Sequence, residues 1–546
     1  MPTLLIHAPD GDHRLNVPLG QSVRDALDST ELRVRAACGG TGSCGACLIR
    51  LIGGKVTPPT VADYMKLTAD ERASGQRLAC QMRIQGDAEV RLEDPAPPSA
   101  WRSIPPEDLL SQNGECPELQ DDIYGVAVDL GTTHIRVALW DRKHGRRIAT
   151  RLGPNPQGVF GADVLNRMDA AQRNPERATE LARLARNAIV HAVRDILARD
   201  VGEVSPMLAQ IGQVVIAGNT AMLALLSGHG SEALLDPEHW QRAVDCQPRN
   251  PADWPAEWFM PHAEIRLLDP VAGFIGSDLI ADLLATDITS GAPGSLLMDV
   301  GTNTEIALWD GATLHLTSVP GGPAFEGVGI RHGMAAEPGA ICRVQAAAAS
   351  EEGFTLDVIG GGLARGLCGS GLADAVAVLL ARGVVRPSGR FDPQHVGPLS
   401  NEGYLLDPDN PRSAIAGGDI DAFQRAKASV AAGLEALLRI AGMNWPDIRR
   451  LCVCGAFGRQ LDIANAMQVG LLPPIAPSRI ELFADATLAG CERVLLEPAA
   501  TVRFADLTAK AKTINLSQVT SYEESYINHL RLRPMPDVVV DSRIRS

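Results

Sequence analysis

The stretch Arg35–Cys47 reads R-A-A-C-G-G-T-G-S-C-G-A-C. It places Cys38, Cys44 and Cys47 within ten residues, with Gly39, Gly40, Gly42 and Gly45 between them, and a fourth cysteine, Cys80, follows in R-L-A-C-Q. Four thiolates are what an iron–sulfur cluster needs. The glycines fit the same chemistry, because a loop wrapped round a buried inorganic core turns tightly and brings its N–H groups to the sulfurs, and side chains would block both. Cys44-x-x-Cys47 is also a usual zinc half-site, and close cysteines can be buried free thiols. A structural zinc site usually uses a second close pair, whereas Cys80 stands alone. The spacing and the glycine-filled loop therefore favour a [2Fe–2S] cluster, with zinc as the alternative.

C-x5-C-x2-C followed by R-L-A-C-Q resembles the adrenodoxin-type branch of [2Fe–2S] ferredoxins, the plant-type run having one residue fewer in its first gap. The resemblance covers about residues 1–94 and implies a β-grasp fold. The local pattern agrees. Leu4 and Ile6, then Leu15 and Val17, alternate as a first hairpin around Gly11-Asp12. Val23 to Leu27 suits a short helix, Cys47 to Leu51 a strand leaving the cluster loop, and Val90 to Leu92 a closing strand.

With 546 residues, 45% hydrophobic and 21% charged, the chain is globular and long enough for several domains. A net charge of −15 argues against a nucleic-acid groove, and 4% aromatic residues argue against base-stacking platforms. Eleven cysteines in a chain this long do not make a disulfide scaffold; those outside the cluster set (Cys116, Cys246, Cys342, Cys368, Cys452, Cys454, Cys491) read as reduced thiols in a cytoplasm. No signal peptide and no apolar run of membrane-span length is visible, so a cytoplasmic protein without membrane contact is expected. The twelve histidines form no H-x-x-x-H pair, and no G-x-x-x-x-G-K-[ST] loop occurs.

Residues 95–122 change character: Pro95, Pro97, Pro98, Pro105, Pro106 and Pro117 sit among polar and acidic residues. This predicts a semi-extended, solvated tether that lets the cluster domain move. At Tyr124 an apolar strand, a Gly-Thr turn and a second strand begin (Y-G-V-A-V-D-L-G-T-T-H-I-R-V-A-L-W), and S-L-L-M-D-V-G-T-N-T-E-I-A-L-W follows from Ser295. Asp129-Leu130-Gly131-Thr132 and Asp299-Val300-Gly301-Thr302 match at a separation of 170 residues, which suggests two similar lobes. Glycine at such a turn lets backbone N–H groups approach an anion, threonine hydroxyls add donors, and the strand-ending aspartate can hold Mg²⁺ directly or through water. A third strand-to-glycine turn lies at Leu451–Gln460, L-C-V-C-G-A-F-G-R-Q, after a helix read over Asp421 to Ala441 and ended by Gly442; Lys427 on that helix could reach a phosphate but reads first as a surface residue. The expected organisation is residues 1–94, a linker 95–122, lobe one 123–294, and lobe two with a C-terminal segment 295–546.

The triplet resembles the acetate and sugar kinase/Hsp70/actin superfamily, whose fold is two α/β lobes that close on Mg-ATP. Asp129 to Thr133 looks like its first phosphate loop, Asp299 to Asn303 its second, and Gly455-Ala456-Phe457-Gly458 its adenosine loop. V-V-I-A-G-N-T-A-M (Val214–Met222), V-A-G-F-I-G-S-D (Val271–Asp278), P-G-G-P-A-F-E-G (Pro320–Gly327), L-C-G-S-G-L-A-D-A (Leu367–Ala375) and V-G-L-L-P (Val469–Pro473) look like a specific family, the ATP-dependent reductive activators of corrinoid proteins. The resemblance implies that Cys38, Cys44, Cys47 and Cys80 hold the cluster. It implies that Asp129 and Asp299 place Mg²⁺ and the attacking water. Gly131, Thr132, Thr133, Gly301, Thr302 and Asn303 would hold phosphates, and Gly218, Asn219 and Thr220 would face the γ-phosphate. The sequence departs from the family in the short join between linker and Tyr124, in Ala456 for a second glycine, and in Ala484-Asp485 for Gly-Asn.

The function implied is reductive activation: one electron passes from the cluster to the cobalt(II) of a corrinoid protein, restoring cobalt(I) for methyl transfer. The partners would be that corrinoid protein and an electron-donating reductase, and the resemblance suggests a homodimer through the ATPase part. Two other readings fit the residues: a small-molecule kinase with a redox-sensing appendage, which needs an acceptor pocket, and a plain electron carrier with a docking domain. Glu326, in P-A-F-E-G, could orient water or contact a partner, but a lone glutamate near glycines more often reads as a solvated loop residue.

Overall fold

The computed structural model describes residues 1–35, 40, 42, 45–96, 99–103, 124–161, 163–197, 205–236, 240–347, 353–394, 399–400, 403–455 and 457–538. Cys38, Cys44, Ala456 and most of the proline-rich segment lie outside them. The chain divides into two compact units, residues 1–281 with 487–503, and residues 282–486 with 504–546.

The first unit begins with a five-stranded β-grasp sheet. Strands β1 (Thr3–Ala8), β2 (Gly11–Asn16), β3 (Leu48–Val56), β4 (Gln76–Leu78) and β5 (Ile84–Arg91) lie in the order β2-β1-β5-β3-β4. The alternation at Leu4 and Ile6 does what the period-two pattern predicts: both are fully buried, against Val23, Leu27, Leu78 and Val90. The helix Val23–Asp28 is started by Ser22, whose Oγ accepts the Asp25 N–H.

A second sheet in the same unit has the order β10-β9-β6-β7-β8, formed by β6 (Tyr124–Leu130), β7 (His134–Asp141), β8 (Arg146–Pro154), β9 (Ile211–Gly218) and β10 (Glu264–Leu267). The helix Pro175–Leu197 covers it and buries Ala185, Ile189, Val193 and Ile196 at helical spacing.

The described part of the linker is not the solvated tether that its prolines predict. Trp101 is 8% exposed and joins the core of this second sheet. Its ring lies on Gly153 of β8 so closely that a Cβ there would fall 2.4 Å from it. Arg102 exchanges two backbone hydrogen bonds of 2.7 Å with Leu152, adding a rung to the edge strand, and Pro95 bridges to Val34. Apolar burial and edge pairing outweigh the local preference for extended, hydrated backbone.

The second unit carries a six-stranded sheet. Its strands run Ile480–Leu482, Arg450–Gly455, β11 (Ser295–Val300), β12 (Thr304–Trp309), β13 (Leu314–Val319) and Ala511–Thr513. The helix Gly417–Ala441 packs on it and ends at Gly442, at φ +66°. It starts four residues before the predicted Asp421, because the Asp419 carboxylate accepts the Ala416 N–H and opens the first turn earlier. Lys427 is not on the surface. It is fully buried, donates to the Arg531 carbonyl at 2.6 Å, and burial brings its pKa down to about 7.

Candidate functional site

Two chemically distinct places emerge from these folds. The first is the cysteine pocket. Cys47 and Cys80 are both buried, at 2% and 7% exposure. Cys47 opens onto β3 and Cys80 follows β4, and the Ala79 N–H donates to the Cys47 carbonyl at 2.8 Å, so strand pairing sets the two ligands side by side. Asp63 fixes β4 by accepting the Leu78 N–H at 2.9 Å. Burial works against its charge, but hydrogen bonds from Leu78 and Thr60 hold its carboxyl below the usual range. The Cys47 thiol is pushed well up, by its hydrogen bond with Cys80 and by burial. Two neighbouring buried thiols resist ionisation unless a cation supplies the counter-charge.

The loop glycines are required by geometry. Gly40, Gly42 and Gly45 sit at φ +97°, +83° and +74°, and a Cβ on Gly42 would fall 2.8 Å from the Ala62 Cβ. Gln81 closes the pocket, donating to the Gly40 carbonyl at 2.8 Å and to the Cys80 sulfur at 3.4 Å. Buried thiols, a left-handed glycine cradle and a donor aimed at sulfur fit an iron–sulfur cluster. Cys38 and Cys44 fall outside the described residues.

The second kind of place is a hairpin turn, and each unit carries one of its own. In the first unit, β6 and β7 pair so that Asp129 stands opposite Arg136, and Arg136 Nη1 donates to its Oδ2 at 2.9 Å. The turn, Gly131-Thr132-Thr133, is held from behind. Asn155 donates to the Gly131 carbonyl at 2.9 Å and Arg167 to the Thr132 carbonyl at 2.8 Å. Arg167 is 2% exposed, and burial lowers its pKa to about 10. Strand β9 runs parallel to β6 and brings Gly218 level with Leu130. Asn219 caps the helix Thr220–Ser227 through the Met222 N–H and donates to the Thr132 hydroxyl at 3.0 Å. Thr220 is turned inward, 1% exposed, with its hydroxyl on the Ala272 carbonyl.

In the second unit, β11 and β12 set Asp299 opposite Glu305, and the parallel strand Arg450–Gly455 brings Gly455 level with Val300. Gly455 has φ +72°, and a Cβ there would fall 2.3 Å from Asp299 Oδ1, so the backbone and the carboxylate share one space. The turn is Gly301-Thr302-Asn303, where the Gly301 N–H donates to the Asn303 carbonyl at 3.1 Å. Thr302 Oγ1 donates to Glu326 Oε2 at 2.6 Å. Phe457 turns its ring into the core against Phe325, 5.0 Å between centroids, leaving its backbone to line the turn. A Cβ on Gly458 would collide with the Phe483 carbonyl at 1.9 Å. Such backbone-lined turns at strand ends suit a phosphate or a ribose.

Three family models match the chain: a 2Fe-2S iron-sulfur cluster binding domain over residues 7–85, the RACo middle region over 124–291, and the C-terminal domain of RACo, the ASKHA domain, over 294–539. The chain belongs to the RACo family. Among curated relatives it is 30% identical to the corrinoid activation enzyme RamQ of Eubacterium limosum over 404 residues, 69% of this chain and 65% of that one. It is 25% identical to the [Co(II) methylated amine-specific corrinoid protein] reductase of Methanosarcina barkeri over 432 residues, 73% of this chain and 75% of that one. The chain therefore spans just under two thirds of the first relative's length. Its fold matches the solved reductive activator for corrinoid, iron-sulfur protein with a TM-score of 0.65 and 24% identity, covering 98% and 99% of the two chains.

Other residues of these places take parts that the sequence reading did not give them. Glu326 is a partner of the second turn rather than a solvated loop residue. Arg136 and Glu305 face the two aspartates, which the hairpin register alone would have revealed. Asp485, one of the family departures, is 11% exposed and bonds Arg459 at 2.5 Å, tying the adenosine-type turn to the segment after Leu482. Among the described residues, no group of three or more His, Cys, Asp or Glu side chains is disposed to hold a metal ion, and no helix is long and apolar enough to cross a membrane.

Proposed function

We propose that this chain is an ATP-dependent reductive activator of a corrinoid protein. It returns one electron to cobalt(II) and restores the cobalt(I) state needed for methyl transfer. Residues 1–94 carry the electron site, 95–122 join it to the ATPase, and 123–294 and 295–546 form the ATPase lobes. Cys38, Cys44, Cys47 and Cys80 hold a [2Fe–2S] cluster, which supplies one-electron chemistry when bound. Asp299 and Asp129 act on Mg²⁺ and the attacking water, with Thr132, Thr133, Thr302 and Asn303 on phosphates and the backbone of residues 455–458 against the nucleoside. Gly218 and Asn219 shape the first turn, and Thr220 supports it from inside. The chain works in the cytoplasm with a corrinoid protein and an electron-donating reductase, and as a homodimer.

The observation that carries the reading is the presence, in one chain, of a glycine cradle around buried thiols and of Gly455 packed against the Asp299 carboxylate. An ordinary ferredoxin potential lies above that of cobalt(II), so the electron goes uphill. Nucleotide can assist only through its differential affinity for two protein states. The deciding experiment mixes the reduced, cluster-loaded chain with a cobalt(II) corrinoid protein. Cobalt(I) absorption should grow only when Mg-ATP is added. Growth at the same rate without nucleotide refutes the ATP dependence, and phosphate transfer to a metabolite favours a kinase instead.

A further inference from the structure

The prolines between the cluster domain and the ATPase suggest freedom, yet five charged side chains join the two domains of the first unit. Arg24 and Asp28, from the helix Val23–Asp28, and Arg33 belong to the cluster domain. Arg151 on β8 and Asp195 on the helix Pro175–Leu197 belong to the middle domain. Arg151 bonds Asp28 at 2.8 Å and Asp195 at 2.5 Å. Arg33 bonds Asp195 at 2.7 Å and also donates to the Trp101 carbonyl. Arg24 lies 3.5 Å from Asp28 and donates across the join to the Ile196 carbonyl at 2.8 Å. Ser99, at the start of the docked linker segment, donates to Asp195 at 2.7 Å.

None of these groups is solvated. Asp28, Arg33 and Arg151 are fully buried, Arg24 is 2% exposed and the Asp195 side chain 9%. Removing one member of such a network leaves a bare buried charge, so the set behaves as a lock rather than as surface ion pairs. Arg24 has a second face. Its Nη1 lies 3.1 Å from where a Cβ on Gly40 would stand, a point that is also 3.9 Å from the Cys80 Cβ. One guanidinium is thus shared between the lock and the place where a cluster would carry its negative charge.

We propose that this charge lock docks the cluster domain on the middle domain, and that Arg24 keeps the docked cluster at a raised reduction potential, so that undocking makes it a stronger reductant. The proposal rests on the cluster reading above. A cation beside the cluster favours the reduced form, which carries one more negative charge. Docked, the cluster takes one electron from a low-potential one-electron donor. When the lock opens, Arg24 stays with the cluster domain but meets solvent, which screens its field, and the same electron leaves for cobalt(II), one oxidation balancing one reduction with no proton needed.

The test uses the full chain reconstituted with iron and sulfide. Potentials are read by dye-mediated titration followed by electron paramagnetic resonance, and compactness by small-angle X-ray scattering. Arg24→Gln is expected to shift the potential negative by at least about tenfold in the reduction equilibrium, ~59 mV for one electron. Arg24→Lys, which keeps the charge, should stay near the wild-type value. Arg151→Met leaves Arg24 and the cysteines in place and removes the Arg151 bonds to Asp28 and Asp195, and it should both enlarge the particle and shift the potential negative. A wild-type potential in Arg24→Gln, or an equal drop in Arg24→Lys, overturns the electrostatic role. Should Arg24→Gln not fold, Asp195→Asn takes its place as a second lock variant with the outcomes expected of Arg151→Met. Unchanged size and potential in either lock variant overturn the lock. A chain that takes up no iron overturns the cluster reading and this proposal together, whereas a loaded chain indifferent to these substitutions overturns this proposal alone.

Discussion

The sheets of the two units share a plan and differ in charge. Each has a strand ending in Asp-x-Gly-Thr, an antiparallel partner after a three-residue turn, and a parallel neighbour ending in glycine, Gly218 or Gly455. At the same rung of the two hairpins Asp129 meets Arg136, whereas Asp299 meets Glu305. Side chains directly opposite across an antiparallel pair lie on one face, so this single exchange sets the local charge. The first turn has its own arginine on Asp129 and a second, Arg167, behind it, so its local charge is cationic. The second has a further carboxylate, Glu305, opposite Asp299, and Glu326 accepts from the Thr302 hydroxyl of its turn. The same fold element thus sets a cation opposite its aspartate in one unit and a second carboxylate in the other.

The largest consequence concerns the aspartates themselves. Asp299→Asn is expected to lower ATP turnover by at least about a hundredfold, the usual scale for losing one electrostatic participant in a closed site. Asp129→Asn should cost about tenfold less, because it frees Arg136 to attract phosphate. Steady-state ATPase assays on both variants, with the visible spectrum as a check on the cluster domain, decide the matter. Equal losses would break the comparison.

The parallel-strand glycines come next. Gly455→Ala meets both a left-handed backbone and the Asp299 carboxylate at 2.3 Å, so it should reduce turnover roughly tenfold or more by displacing Asp299. Gly218→Ala meets the Leu130 carbonyl at 2.6 Å, at ordinary φ. It should act through packing, at about 1–3 kcal/mol of stability, seen as a lower melting temperature with less change in turnover per enzyme molecule. A turnover defect in both of equal size would mean that the two glycines do one job.

These differences mark where sequence reading stops. The hairpins, the cluster-loop glycines and the helix ending at Gly442 were legible because they rest on local patterns: alternation, Gly-Thr turns, and a left-handed cap. The face-to-face placing of Arg136 and Glu305 was legible in principle, since hairpin register follows from turn length. The docking of Trp101 on Gly153, and the joining of Arg24, Asp28 and Arg33 to Arg151 and Asp195, were not. They pair residues more than a hundred positions apart, or depend on an edge strand whose partner no local pattern names. Lys427 misled for a related reason: a lysine on an apolar helix face normally reaches solvent, and only the tertiary position of the Arg531 carbonyl lets it stay inside.

A smaller effect tests the facing residues directly. Glu305→Gln keeps an acceptor for the Ser318 hydroxyl, 3.0 Å away, while removing the charge. The Mg²⁺ concentration for half-maximal ATPase should then rise about fivefold, ~1 kcal/mol. Arg136→Gln should move it the other way by releasing the Asp129 carboxylate. Magnesium titrations of the two variants that shift in the same direction would show that the charges opposite the aspartates do not set cation demand.

The smallest effect is a slope with pH, and it separates the hairpins without any nucleotide. His134 opens β7, and burial together with the Arg136 charge brings its pKa down to about 4, from an ordinary 6.5. The residue opening β12 in the second unit is Thr304, which does not titrate. Between pH 6.5 and 4 the unfolded chain binds a proton at His134 that the folded chain refuses, so the first unit loses stability as pH falls through that window and gains nothing further above it. The slope contributed by one such group cannot exceed about 1.4 kcal/mol per pH unit. Denaturant melts of wild type and His134→Gln should therefore diverge as pH is lowered from 6.5 towards 4. Arg136→Met should narrow that window from below by letting the His134 pKa rise, as imidazole resonances followed by NMR would report. If His134→Gln leaves the acid slope untouched, the cationic character assigned to the first turn does not reach its nearest titratable neighbour, and the contrast between the hairpins shrinks to the aspartates alone.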